Sequence, residues 1–248
     1  MFPEDTDVLV LLINRSPEIE SHDILFIPHL KKSSKKKLRI WPIKEVRTAL
    51  GPELCKHLLF IHAFSGCDTT SRPYGMGKAS VVKKVIHDEE LRTCASIFVD
   101  PQSPKEKVIE AGDLAMRLLT GGNKKESLAV HRFKVYKCRV IKGNIQVLHE
   151  FLPPTSGSTE QHSLRVYHQI MSWTGNGLSP DQYGLELKYN KLRPTISNNT
   201  PAPQDMLRAI FCNCKTSCDT KRCTCRRFNL ACTDLCTSCL NGCLNSSA

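Results

Sequence analysis

The residues most able to do chemistry lie near the C-terminus, where the chain carries nine of its thirteen cysteines. One to six residues separate each of these cysteines from the next. The nine are Cys212, Cys214, Cys218, Cys223, Cys225, Cys232, Cys236, Cys239 and Cys243. So short a segment has too few large apolar side chains to fold around a hydrophobic core, so metal ions or disulfide bonds must stabilise it.

Zinc accounts for these cysteines better than disulfide bonds do. An odd number of cysteines leaves one thiol unpaired. Residues 1–5 are acidic and lack the apolar stretch of a secretory signal, so we expect a reducing compartment in which thiols bind metal. Three tetrahedral zinc ions need twelve thiolate contacts, which nine cysteines provide if three of them bridge two ions. Two separate four-thiolate sites with one spare thiol are the alternative.

Two C-x-C units, the second preceded by a basic residue, indicate a known type of module. Cys212-Asn213-Cys214-Lys215, then Thr220-Lys221-Arg222-Cys223-Thr224-Cys225 and Cys232, resembles the cysteine-rich CXC repeat of the tesmin family and related chromatin proteins. The resemblance implies a cluster of three zinc ions and a side chain that enters the DNA minor groove. Members of that family usually have tyrosine where this chain has Arg222, and arginine also suits a narrow, negative groove. Tesmin proteins carry two such repeats, whereas this chain has one.

The charge of the chain favours a polyanionic partner. The formal net charge is +11 and the isoelectric point is near 9.1. Four cations flank the second C-x-C unit and are predicted to contact nucleic-acid phosphates: Lys221, Arg222, Arg226 and Arg227. The alternative is that they only neutralise the negative charge of a zinc–thiolate cluster. A second basic run, at residues 31–39, is a nuclear import signal, a phosphate contact or a solvated loop.

Near the N-terminus, Asp5 and Asp7 come directly before the apolar run Val8–Ile13. The run predicts a strand buried on both faces, as in the parallel sheet of an α/β fold. Carboxylates two residues apart on a strand point the same way and can hold a divalent cation. The alternative is that the two aspartates only make the start of the strand soluble.

A glycine-containing turn, Pro73–Lys78, predicts a phosphate contact. Gly75 and Gly77 let the backbone approach a ligand closely. The helix that we expect at about residues 79–87 presents free N–H groups and a positive dipole end at its start. We therefore predict that a nucleic-acid phosphate binds the turn and the nearby lysines, in the set Gly75, Gly77, Lys78, Lys83 and Lys84.

The order of three short motifs resembles the flap endonuclease family of PIN-like nucleases. The motifs are Glu4–Leu9, Phe64–Asp68 and Gly75–Ala79. In that family they are a D-x-D on a strand, an apolar helix ending in G-C-D or G-S-D, and a G-x-G that opens a helix–two-turn–helix. The resemblance implies that Asp5, Asp7 and Asp68 bind magnesium and that the turn clamps duplex DNA. Family members carry further carboxylates and strands ahead of the D-x-D, so we expect the second half of such a domain here, without cleavage activity of its own.

The predicted organisation has four parts: a truncated PIN-like region at residues 1–98, a helical extension at 99–150, a linker with a short helix at 151–206 and the CXC zinc module at 207–248. Apolar periodicity predicts helices at residues 42–50, 53–64, 108–119, 127–141 and 162–173. Residues 151–160 are rich in Pro, Ser and Thr and are typical of a linker, and residues 191–204 are typical of a flexible tether. With Leu152–Ser156 and His162–Tyr167, the combination of parts resembles uncharacterised animal proteins of transposon origin.

Together these observations predict a nuclear, zinc-dependent DNA-binding protein with an incomplete nuclease-like region. One alternative is a magnesium-dependent, structure-specific nuclease whose other half is supplied elsewhere. Another is a chromatin adaptor whose zinc module binds protein. Zinc is the expected cofactor and magnesium the second candidate, and DNA is the expected partner, with chromatin proteins as further candidates. No apolar run has the length of a membrane span, so no membrane association is expected.

Overall fold

The computed structural model describes residues 6–18, 23–28, 40–141 and 151–197. In the cysteine-rich segment it describes residues 212–215, 217–228, 230–232, 236, 239 and 243–245. The chain divides into two units, Met1–Ser197 (unit 1) and Asn198–Ala248 (unit 2). Asp5, the basic run at 31–39, residues 142–150 and residues 198–204 of the predicted tether lie outside the described residues.

Helices form most of the described part of unit 1. They are α1 (Thr6–Arg15), α2 (Ile43–Leu50), α3 (Pro52–Phe64), α4 (Lys78–His87), α5 (Glu89–Val99), α6 (Lys105–Leu119), α7 (Leu128–Ile141) and α8 (Ser156–Trp173). The helices predicted at 42–50, 53–64, 79–87, 108–119 and 127–141 are confirmed as α2, α3, α4, α6 and α7. Among the residues described, no helix combines the length and the apolar character that crossing a bilayer requires.

Helix α3 lies at the centre of unit 1. Ten of its thirteen residues are buried, and it packs against α1, α2, α4, α5 and α8. Its Phe60 and Phe64 have ring centroids 4.9 Å apart, and the ring of Phe98 on α5 lies 5.1 Å from Phe60 and 5.7 Å from Phe64. These three rings are fully buried, and burial of such large apolar side chains contributes strongly to the stability of unit 1.

Helices α6 and α8 approach each other closely at Gly112. A Cβ atom built on Gly112 would lie 1.9 Å from the Oγ and 2.5 Å from the Cβ of Ser163. Glycine and serine at this crossing therefore let the two backbones pack at a distance that a larger side chain would prevent.

The described part of unit 1 also contains two short antiparallel strand pairs. β1 (Leu25–Phe26) pairs with β2 (Trp41–Pro42), and β3 (Leu185–Lys188) pairs with β4 (Lys191–Pro194). The turn between β3 and β4 is Tyr189-Asn190, with φ values of 52° and 55°. Two central residues with positive φ match the twist of a two-residue hairpin.

The prediction of a buried parallel strand at Val8–Ile13 is wrong, because these residues belong to helix α1. Val10 and Ile13, three residues apart, are its buried positions, and the other apolar side chains pack partly buried against the core. A short apolar run fits a buried strand and a buried helix equally well, so packing decides between them. The described part of the chain is mostly helical. Its few strands pair only in antiparallel fashion, so it is not an α/β fold with a parallel sheet.

The prediction of a linker at residues 151–160 is also wrong in its second half, because α8 begins at Ser156. The side-chain oxygen of Thr155 accepts a hydrogen bond from the N–H of Ser158 at 3.2 Å and caps the helix. Gly157 and Thr159 in the first turns are buried. The helix predicted at 162–173 is therefore confirmed but starts six residues earlier, because the Ser and Thr taken as linker residues serve as cap and close-packing positions.

Candidate metal centre

The buried core of the described part of unit 2 consists mainly of cysteine side chains, whereas larger domains have a core of hydrocarbon side chains. Cys214 and Cys243 are half-buried, and the other seven cysteines of the segment are at most 7% exposed. The buried seven are Cys212, Cys218, Cys223, Cys225, Cys232, Cys236 and Cys239. The described cysteines form no disulfide bond with one another. A core of unoxidised thiols in so small a unit is the expected result when metal coordination stabilises the fold.

The distances between the buried sulfur atoms match those of a zinc–thiolate tetrahedron. Four zinc–sulfur bonds of about 2.3 Å place neighbouring sulfurs about 3.8 Å apart. The Sγ atom of Cys212 lies 3.8 Å from that of Cys218, 3.9 Å from that of Cys232 and 3.7 Å from that of Cys239. The Cys223–Cys232 and Cys225–Cys236 pairs have Sγ–Sγ distances of 3.8 and 3.6 Å. The donor set therefore fits zinc.

The candidate ligands form overlapping sets of four. In each set the four sulfurs lie within 4.8 Å of one another. The sets are Cys212, Cys223, Cys225 and Cys232; Cys212, Cys214, Cys218 and Cys223; and Cys212, Cys218, Cys232 and Cys239. Cys212 belongs to all three sets, whereas Cys214 belongs to one. Shared sulfurs are what a cluster with bridging thiolates requires, whereas two separate sites would have separate ligands.

Two backbone N–H groups, one of them in a short helix, orient the sulfurs. Helix α9 (Thr224–Arg227) follows Cys223, whose Sγ lies 3.5 Å from the N–H nitrogen of Arg226. The N–H of Cys212 donates to the Sγ of Cys236 at 3.3 Å. N–H groups that point at sulfur stabilise its anionic form and hold a ligand in orientation.

The thiols differ in how readily they ionise. Burial opposes ionisation of Cys223, but the Arg226 N–H and neighbouring thiols together lower its pKa to about 7. Burial raises the pKa of Cys225 to about 12, and the neighbouring Cys236 is the second cause of this rise. Burial is also the main cause that raises the pKa of Cys239 to about 11. Without metal, Cys225 and Cys239 would therefore be protonated near neutral pH, and a metal ion that binds them must displace their protons.

Asn245 is a structural residue of the centre that cysteine spacing did not reveal. Its side-chain amide donates to the carbonyl oxygen of Leu230 at 2.9 Å and to the Sγ of Cys232 at 3.4 Å. The backbone carbonyl oxygen of Asn245 accepts a hydrogen bond from the N–H of Cys232 at 2.6 Å. Asn245 thus links the last described residues to the segment that contains Leu230 and Cys232. Nothing in its sequence neighbourhood other than the adjacent cysteines would have indicated this role.

The four predicted phosphate contacts of unit 2 lie exposed around α9. Lys221 and Arg222 precede Cys223, and Arg226 and Arg227 follow Cys225. Two of these cations also brace the loop, because the Arg226 guanidinium donates to the carbonyl oxygen of Cys218 at 3.2 Å and the Arg227 Nε donates to that of Lys221 at 3.3 Å. Their role in binding nucleic acid stays a prediction.

The acidic residues predicted to bind magnesium are placed differently from a strand edge. Asp7 lies in the first turn of α1, where its carboxylate pairs with the Nε2 of the buried His62. Asp68 is exposed just after α3, and Asp5 lies outside the described residues. Within the described ranges, the groups of three or more metal-binding side chains that converge consist of cysteines alone. The magnesium assignment stays a prediction.

The turn predicted to hold phosphate is present, but two of its lysines point at the protein. Gly75 has a φ of +78°, which glycine adopts easily. The Lys78 amine donates to the carbonyl oxygens of Gly66 at 2.6 Å and His62 at 3.2 Å, and so it neutralises the C-terminal end of α3. Lys84 donates in the same way to Leu119 at 2.7 Å, whereas Lys83 is exposed. Phosphate binding by Gly75, Gly77 and the three lysines stays a prediction.

Comparisons of the chain with protein family models, with curated proteins and with solved structures found no significant match. The chemistry of unit 2 therefore has to be judged from its own donor atoms. These are overlapping sets of four buried thiols at zinc–thiolate spacing. Unit 2 carries a cysteine cluster that is compatible with zinc binding.

Proposed function

We propose that this protein is a nuclear DNA-binding protein whose unit 2 is a zinc cluster of the CXC type. The observation that carries the proposal is the sharing of Cys212 among three sets of four thiols, beside a short helix flanked by exposed cations. Zinc would stabilise unit 2, whose described core consists mainly of cysteines, and the cations would supply contacts to DNA.

Zinc is the proposed metal because the donors are thiols. Thiolates select zinc over magnesium or calcium, which prefer oxygen ligands. The overlapping sets favour the arrangement in which three ions share bridging sulfurs over two separate sites. All nine cysteines of unit 2 are the proposed ligands, and their N–H donors would hold the sulfurs in place.

DNA is the proposed partner because the exposed charge of the module is concentrated beside the second C-x-C unit. Lys221 and Arg222 lie on one side of the pair formed by Cys223 and Cys225, and Arg226 and Arg227 lie on the other. Ligation of both cysteines would hold the two cationic pairs on one small surface. Arg226 and Arg227 donate to backbone carbonyls, so Arg222 is the best candidate for insertion into a minor groove.

The proposal is tested by duplex binding of the zinc-loaded full chain at several salt concentrations. Each phosphate contact contributes about −0.9 to the slope of log affinity against log salt. We expect Arg222→Ala to keep its zinc, to bind duplex DNA more weakly and to lower the steepness of that slope by about one contact. Lys188→Ala, at an exposed cation of unit 1, is the matched control and should bind as the unaltered chain does.

The same samples separate the alternatives. Unchanged DNA affinity in a zinc-loaded Arg222→Ala chain would favour the chromatin-adaptor hypothesis. Cleavage of branched or flapped DNA that needs magnesium and is lost in Asp68→Asn would favour the nuclease hypothesis. Affinity that does not change with salt would contradict the phosphate contacts on which the proposal depends.

A further inference from the structure

Unit 1 contains an open cavity of about 690 Å³ beside the start of α8. Its size falls within the range of roughly 300–1,000 Å³ that small-molecule sites occupy. Three parts of the chain line it: the turn after α3, helix α7, and the segment that leads into α8. The lining residues that carry the inference are Arg72, Tyr74, Arg132, Phe151, Thr155 and Ser158. The function proposed for unit 2 uses none of them.

Among the described residues, the cavity lining carries two arginines and no acidic side chain. Arg72 is exposed, and its guanidinium has neither a hydrogen bond nor an ion pair with any described residue. Arg132 is half-buried and donates to the carbonyl oxygen of Pro153, again without a carboxylate partner in the described part of the chain. A partly desolvated guanidinium that lacks a counter-charge is costly, and burial lowers the pKa of Arg132 for this reason. An anion in the cavity would offset that cost.

The start of α8 adds to the positive potential of the cavity. Thr155 and Ser158, the cap and a first-turn residue of this 18-residue helix, both line it. The positive end of the helix dipole and two hydroxyl groups therefore face the same space as the arginines. The Thr155 hydroxyl donates to that of Ser158 at 2.9 Å, so the Ser158 hydroxyl and the guanidinium groups are the donors left to bind a phosphate group.

An aromatic surface lies next to these donors. The Tyr74 side chain belongs to the glycine-containing turn and is 58% exposed. Its ring centroid lies 4.7 Å from that of Phe151, and the Arg139 guanidinium lies 5.7 Å from the centre of the Phe151 ring. An aromatic ring left open beside uncompensated cations suits a ligand that is planar at one end and anionic at the other.

We propose that this cavity binds a nucleotide, with the phosphate between Arg72 and Arg132 and the base against Tyr74. The proposal does not depend on zinc or on DNA binding by unit 2. The nucleotide is either free or the 5′-phosphorylated end of a single strand, because both present the same phosphate and base. A phosphopeptide would use the arginines but would leave the Tyr74 ring without a planar partner.

The proposal is tested by isothermal titration of the full-length chain with adenosine 5′-monophosphate, inorganic phosphate and adenosine. We expect the nucleotide to bind more tightly than either of its parts. Arg72→Ala should weaken nucleotide binding about tenfold or more, since a charge-assisted hydrogen bond is lost. Tyr74→Ala should weaken it about fivefold or more, and Tyr74→Phe should keep it, since the ring supplies the contact. Lys107→Ala, at an exposed cation that does not line the cavity, is the control.

Folding of the variants is checked separately. Arg72→Ala keeps the Cβ atom that packs near Gly66, and tryptophan fluorescence reports whether unit 1 is intact. Tyr74→Ala tests the proposal by itself if Arg72→Ala fails to fold. A 5′-phosphorylated oligothymidine, compared with the same oligomer without phosphate, distinguishes a strand end from a free nucleotide.

Three results would overturn the proposal. These are nucleotide binding no tighter than that of inorganic phosphate, affinity unchanged in both Arg72→Ala and Tyr74→Ala, or a phosphoserine peptide that binds more tightly than the nucleotide in an Arg72-dependent way. Arg72 lies outside unit 2, so these results are distinct from a loss of duplex binding in Arg222→Ala.

Discussion

The imidazole Nε2 of His162 lies 3.1 Å from the carbonyl oxygen of Phe64, and this hydrogen bond joins the middle of α8 to the end of α3. The ring also meets that of Phe64 edge-on, with centroids 5.0 Å apart. The Nδ1 atom is buried and has no hydrogen-bond partner in the part of the chain that the structure describes. Burial therefore lowers the pKa of His162 to about 4, an effect that the hydrogen bond to Phe64 opposes and the nearby Arg165 reinforces.

The stability of unit 1 should fall as the pH is lowered from about 6.5 to about 4. In this window the unfolded chain binds a proton at His162 that the folded chain does not, so acid favours unfolding. The expected loss is at most about 3 kcal/mol, measured as the free energy of unfolding in urea at several pH values. Both tryptophans, Trp41 and Trp173, belong to unit 1, so their fluorescence reports this unit alone.

His162→Gln is the control for this pH dependence. Glutamine keeps a donor for the carbonyl oxygen of Phe64 but does not titrate, so the variant should lose part of the pH dependence even if it is less stable at neutral pH. An unchanged pH profile in the variant would show that other groups cause the acid sensitivity.

Gly112→Ala should destabilise unit 1 although alanine is the better helix former. The new Cβ would overlap Ser163 on α8, and such overpacking costs about 1–3 kcal/mol, which exceeds or cancels the gain of about 1 kcal/mol in helix propensity. Thermal unfolding followed by tryptophan fluorescence measures the loss. Adding Ser163→Gly should recover part of it, and strict additivity of the two substitutions would contradict the close approach.

Cys212→Ser should release more zinc than Cys214→Ser. Cys212 belongs to three sets of four thiols and Cys214 to one, so the first change removes a ligand from every candidate set and the second from a single set. Native mass spectrometry of the full chain gives the number of bound ions, for which we expect three in the unaltered protein. Cys138→Ser, at an exposed cysteine of α7, should bind as much zinc as the unaltered chain. Equal losses in the Cys212 and Cys214 variants would contradict shared ligands.

Lys84→Met should destabilise unit 1 by about 1 kcal/mol, whereas Lys83→Met should have little effect. The Lys84 amine donates to the carbonyl oxygens of Leu118 and Leu119 at the end of α6, and the neighbouring Lys83 is exposed. Urea denaturation of the two variants makes a matched pair, since both lose the same charge from adjacent positions of α4. Equal stability of the two would mean that the contacts to α6 contribute nothing measurable.

The amino-acid sequence alone predicted those properties that depend on residues close together in the chain. Nine closely spaced cysteines, odd in number, were enough to predict metal binding, because ligand type and spacing are local. Apolar periodicity located α2, α3, α6 and α7, because each helix buries one face or more. The helix predicted at 53–64 ends at Phe64 as α3 does, just before Gly66, which has a φ of 104° that glycine tolerates.

Tertiary structure decided what depends on residues far apart in the chain. Val8–Ile13 is helical because α1 packs against α3, and no local pattern distinguishes that outcome from a buried strand. The tertiary structure shows which thiols belong to more than one set of four. It also shows that Lys78 and Lys84 donate to carbonyl oxygens at the ends of helices that lie far from them in the sequence. The cavity likewise unites Arg72 with Ser158. Contacts of this kind depend on how whole helices pack. The entropy lost when the intervening chain is closed into a loop is offset by burial of the common core, not by any local preference.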